Sequence, residues 1–133
     1  MNCRKLMLVI VTSLVVIGGA GAMFMHGKIE EIMEKGFKKG GLRHKISLEI
    51  DKDNPNWNDV DKNTKELVKL CETLCKEKQP QGEADSWKKL TEALTKNVKS
   101  LSEAAGKKDH PNAKTLISKI NNSCKECHNL HQP

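Results

Sequence analysis

Tyrosine is absent from the 133 residues, and only four aromatic side chains occur: Phe24, Phe37, Trp57 and Trp87. Four rings are few for the core of a domain this long, so it must be built from Leu, Ile, Val, Ala and Met, or something else must fill it. Alternating β-branched runs are missing too, which speaks against a sandwich, and the chain is too short for a barrel of alternating strands and helices. The residue sets of common catalytic sites are also lacking. There is no serine or cysteine nucleophile beside a base, no paired carboxylates on a recognisable apolar face and no phosphate-cradling glycine loop, so an enzyme is not expected. Charged residues make up 30% and the formal net charge is +6. That composition fits neither a disordered chain nor a multi-span membrane protein. The lysines are scattered among glutamates, which reads as a solvated helical surface. Nucleic-acid binding would want clustered basic residues with stacking aromatics.

The first residues have the layout of an export leader. Arg4 and Lys5 form a short basic start, Leu6 to Ile17 an apolar run, and Gly18 to Ala22 a small-residue stretch. Ala20-Gly21-Ala22 matches the small-x-small pattern before a signal-peptidase cut, so 1–22 is expected to be a signal peptide and 23–133 the mature domain. A retained leader would instead be a membrane anchor, because residues 6–25 are uncharged and long enough to span a bilayer. Either way the remainder is expected outside the cytoplasm, in the periplasm. Cys3 lies in the basic start, not after the apolar run, and is given no role.

Four amphipathic segments follow. Ile29, Ile32, Met33 and Phe37 make a helical stripe that Gly40-Gly41 ends. Leu42, Ile46, Leu48 and Ile50 fit either a continuation of that helix or a loop, and Asp53-Asn54-Pro55-Asn56 is a turn. A second helix starting near Trp57 or Asn58 carries Val60, Leu67, Val68, Cys71, Leu74 and Cys75 on one side, and Gln79-Pro80-Gln81-Gly82 stops it. Asp85 or Ser86 suits the N-cap of a third, whose stripe is Trp87, Leu90, Leu94, Val98, Leu101 and Ala105. Gly106 to Asp109 is a polar break. His110-Pro111 opens the fourth, with proline in the first turn and Ala113, Leu116, Ile117, Ile120, Cys124 and Cys127 on its inner side. Four such helices with short connections and no strand pattern predict an all-α fold, an antiparallel four-helix bundle.

The last helix ends in Cys124-Lys125-Glu126-Cys127-His128, a C-x-x-C-H, which is the attachment signature of a c-type haem. Two thiols three positions apart on one helical face can add across the two vinyl groups of one haem, and the next residue offers an imidazole to the iron. Cys124 and Cys127 are therefore the candidate thioether residues for one covalent haem c, and His128 the candidate proximal ligand. Other readings fit less well. A thioredoxin-like C-x-x-C belongs at a strand-to-helix turn, a closed zinc site needs a fourth ligand, and a disulfide within a regular helix is badly placed. Cys71 and Cys75, four apart on the second helix, read as small core residues.

With the motif near the C-terminus of an exported four-helix chain, the sequence resembles the class II cytochromes c, the cytochrome c′ family. Local similarities are Pro80-Gln81-Gly82 followed by Ser86-Trp87, and Ser123 just before the motif. Small cytochromes of the ordinary kind carry the motif near the N-terminus. Family members usually have an aromatic residue or histidine three positions after the proximal histidine and then an arginine; here His131 is followed by Gln132. The arginine associated with the haem edge in the family is thus missing at that position.

The resemblance implies one of two behaviours. In one, a methionine of the first helix is the sixth iron ligand and the protein carries electrons, its iron cycling between ferrous and ferric. In the other, the iron is five-coordinate beneath an apolar lid and binds small gases such as nitric oxide or carbon monoxide. Met33, on the inner stripe of the first helix, is the candidate sixth ligand or a flexible core residue. Met25 is an alternative ligand, Phe37 would make an apolar lid, and His26 and His44 are remoter ligand candidates. Electron transfer is the leading expectation. The partners would be redox proteins drawn in part by the lysines, a small gas where the distal site is open and, in a homodimer, a second copy of the chain.

Overall fold

A computed structural model describes residues 27–132; the leader, its cleavage point, Cys3, Met25 and His26 lie outside the described residues. Within them the fold is all-helical, without strands. No helix among the described residues is long and apolar enough to cross a membrane. A first helical segment, α1, runs over 27–37, and four helices follow: α2 Leu42–Ile50, α3 Trp57–Leu74, α4 Ala84–Gly106 and α5 His110–His131. Helix α4 packs against both α3 and α5, while α2 lies against α3, α5 and the end of α1.

The last turn of α1, Met33–Phe37, is π-helical, closed by a Lys38 N–H to Met33 carbonyl bond of 2.8 Å. Single π turns re-aim side chains and are frequent at functional sites. Gly36 makes the close packing of this turn possible. A Cβ there would stand 3.2 Å from a methyl of both Leu67 and Leu70 on α3.

The segment after Gly40-Gly41 is a separate helix rather than a continuation of α1 or a loop. In α2, Ile46 and Ile50 are fully buried and Leu42 packs against them, whereas Leu48 is 55% exposed. Ile46, Leu48 and Ile50 alternate in sequence, but only the residues four apart share the buried face. Asn56 then caps α3 by accepting from the Asp59 N–H.

Two junctions differ from the sequence expectation. Helix α3 ends at Leu74, ahead of Gln79-Pro80-Gln81-Gly82, because tight turn bonds from Lys76 to Thr73 and from Glu77 to Leu74 close it. The freed Glu77 carbonyl accepts the Trp87 indole N–H at 2.8 Å. The N-cap of α4 is Glu83, not Asp85 or Ser86. Asp85 sits inside the first turn, where a negative charge suits the helix dipole, and the Ser86 hydroxyl is engaged by His131. The start of α5 is as expected, with Asp109 capping and Pro111 in the first turn.

Apolar packing divides into a large cluster and a small one. The large cluster joins α2, α3, α4 and α5 through residues such as Ile46, Leu67, Leu101 and Ile120. The small cluster has only Ile32, Leu74 and Trp87 fully buried, with Met33, Phe37, Leu94 and Cys127 partly covered around it. Beside the small cluster the molecule is hollow.

Candidate functional site

A cavity of about 730 Å³ opens between α1, α4 and the C-terminal turns of α5. Its volume lies within the roughly 300–1,000 Å³ of ordinary cofactor and ligand pockets. Cys124, Cys127 and His128 line one part of the wall, and Met33 and Phe37 from the π turn line another. Leu90 and Leu94 complete the apolar surface from α4. Both leucines belong to the regular stripe of α4, yet they are only half-buried, because their neighbour on that side is the cavity. In their place Thr91 and Thr95 are buried, each hydroxyl satisfied by the carbonyl one turn back, Trp87 and Thr91 respectively.

The two motif cysteines are half-buried free thiols. Burial raises the pKa of both, and the nearby Arg43 charge partly opposes this at Cys124. They are therefore protonated at neutral pH. His128 is exposed at the rim. Among the described residues no three His, Cys, Asp or Glu side chains converge where a metal ion could sit, so the motif residues share a wall rather than a coordination sphere. A closed zinc site would need four converging ligands.

His131, one turn beyond the motif, is 2% exposed and lines the same cavity. Its Nδ1 donates to the Gln81 carbonyl at 2.8 Å, and its Nε2 is hydrogen-bonded with the Ser86 hydroxyl at 3.1 Å. The ring also meets Trp87 edge to face, with centroids 5.4 Å apart. The Gln81 side-chain amide donates to the Gln132 carbonyl. Gly82, at φ +77°, passes so close that a Cβ would lie 2.7 Å from the Leu130 carbonyl. The α3–α4 turn thus clasps the end of α5 and holds the helix that carries the motif.

The remaining cysteines behave differently from each other. Cys71 is fully buried in the large cluster, and burial pushes its thiol up to about 12. Cys75 is half-buried, its Sγ 3.1 Å from the Thr95 hydroxyl. The described cysteines form no disulfide. His44, on α2, is not part of the cavity wall. Spacing along the chain put forward Cys124, Cys127 and His128, and the resemblance put forward Met33 and Phe37; the fold gathers these five around one cavity. Neither singled out Arg43 or the burial of His131. The sequence signal at His131 was its match to the aromatic residue or histidine that stands three positions after the proximal histidine in the family the chain resembles. Compared with family models, curated proteins and solved structures, the chain finds no match.

Proposed function

We propose that this chain is an exported monohaem cytochrome of the c type that transfers electrons, and that its helices form an antiparallel four-helix bundle of the kind the class II cytochromes c have. Segment α1 with α3, α4 and α5 would be the four members, and α2 a short addition between the first two. The arrangement is supported by the packing of α4 on α3 and α5, across connections of nine residues (75–83) and three residues (107–109). The observation that carries the functional reading is the cavity, whose wall combines both thiols and the imidazole of the C-x-x-C-H with apolar side chains of α1 and α4.

These residues fit a haem. Each cysteine thiol would add its sulfur to one carbon of a vinyl group and its hydrogen to the other, a step with no net oxidation. The porphyrin brings four of the iron's ligands itself, so a wall offering one imidazole suffices where a bare metal ion would need several. Bound there, the haem supplies a one-electron couple. The protein's part is to fix it by Cys124 and Cys127, to bring His128 to the iron and to exclude water with Ile29, Phe37, Leu90 and Leu94. Met33 is the candidate sixth ligand, a role that its place on the cavity wall and in the π turn favours.

An absorption spectrum of the protein, expressed with a c-type haem maturation system, tests this. A Soret band that stays with the chain after acid-acetone extraction is expected, and its absence overturns the reading. A low-spin ferrous spectrum is expected of an electron carrier. A high-spin one that shifts with carbon monoxide would assign gas binding instead.

A further inference from the structure

Four side chains of full formal charge line the cavity: Glu30, Lys38, Arg43 and Glu126. Glu30, Lys38 and Glu126 are exposed, and Lys38 is paired with Glu34 at 2.9 Å. Arg43 is the exception. The residue is half-buried and its guanidinium is held by uncharged groups: Nε and Nη2 both reach the Phe37 carbonyl at 3.2 Å in partly buried contacts, and Nη1 reaches Asn121 Oδ1 at 2.5 Å on the exposed side. No carboxylate side chain pairs with it among the described residues, and residues 1–26 contain no Asp or Glu. A guanidinium has five N–H donors, of which these contacts use three. Each Nη keeps one more.

A cation partly withdrawn from water is costly without an anion, and a fixed guanidinium suits a carboxylate better than an ammonium does. Asn121 lies one helical turn before Cys124, so the group that orients Arg43 belongs to the same stretch of α5 that would anchor the haem. The geometry points to Arg43 as the residue that receives a carboxylate at the edge of the haem. This rests on the haem reading above.

The test compares covalently loaded wild type with Arg43→Gln, Arg43→Lys and Lys38→Gln, reading the reduction potential and the propionate bending bands in the resonance Raman spectrum. Arg43→Gln is expected to lower the potential and shift the propionate bands, Arg43→Lys to shift the bands with a smaller change of potential, and Lys38→Gln to leave the bands in place. If Arg43→Gln does not accumulate as a loaded protein, the bands of Arg43→Lys decide. Unchanged bands in both Arg43 variants, with haem attached, would overturn the proposal and leave the haem reading standing. Equal effects from Arg43→Gln and Lys38→Gln would also overturn it, since they would mean a diffuse field rather than a contact. A wild-type protein with no covalent haem overturns both.

Discussion

The Ser86 hydroxyl and the His131 imidazole meet at 3.1 Å across 45 positions of sequence, at the point where the start of α4 touches the end of α5. The same ring donates to the Gln81 carbonyl, so both of its nitrogens are used. His131→Ala removes a buried ring and leaves two polar partners unmatched; a loss of about 2–4 kcal/mol is expected. Ser86→Ala removes one bond and should cost about 1 kcal/mol. Urea unfolding followed by circular dichroism measures both.

Gly82 and Gly40 separate conformational strain from collision. Both have positive φ, +77° and +86°, but only Gly82 has backbone in the way of a Cβ; around Gly40 there is nothing within 4 Å. Gly40→Ala is expected to cost about 1–2 kcal/mol, the ordinary penalty of the left-handed region. Gly82→Ala should cost more and should also loosen the C-terminal turns of α5. Amide exchange at residues 128–131 would show that loosening. Equal costs for the two variants would contradict the clasp.

Cys71 makes stability fall in alkali. Its thiol is raised by burial from 9.0 to about 12, so the folded chain keeps a proton that the unfolded chain loses. The contribution is intact below pH 9 and is lost as pH rises from there toward 12, reaching about 4 kcal/mol at the upper end. Cys71→Ala should show a shallower alkaline decline than wild type, whatever its stability at neutral pH. In the native protein Cys71 should alkylate far more slowly than the half-buried Cys75.

On the haem reading, Met33 is the residue proposed to set the coordination state. With Met33 as sixth ligand the ferrous protein would be low-spin and resist carbon monoxide, and Met33→Ala is expected to become high-spin and bind the gas readily. An unchanged low-spin spectrum in the variant would remove Met33 from the iron.

Much of this was readable from spacing. The stripes of α3, α4 and α5 followed from apolar residues three and four apart, and the C-x-x-C-H on the cavity wall from five consecutive residues. Helix α2 was ambiguous because Ile46, Leu48 and Ile50 look alternating, and only contact with α3 and α5 reveals which of them is outside. Ser86 has the chemistry of an N-cap, but a tertiary partner 45 residues away claims its hydroxyl. Arg43 was invisible for a similar reason: its orienting partner Asn121 is 78 residues distant. The scarcity of aromatic rings gains a physical counterpart in the hollow beside Trp87 and Met33, a space that the side chains of the described residues do not fill.

The most direct test is the intact mass of the chain purified from cells that attach c-type haem, set beside the Cys124→Ala, Cys127→Ala double variant. The expected result is wild type heavier than its polypeptide by one haem, with a Soret band that survives denaturation, and the double variant at polypeptide mass with no covalent pigment. Wild type at bare polypeptide mass under conditions that load a control cytochrome would contradict the account.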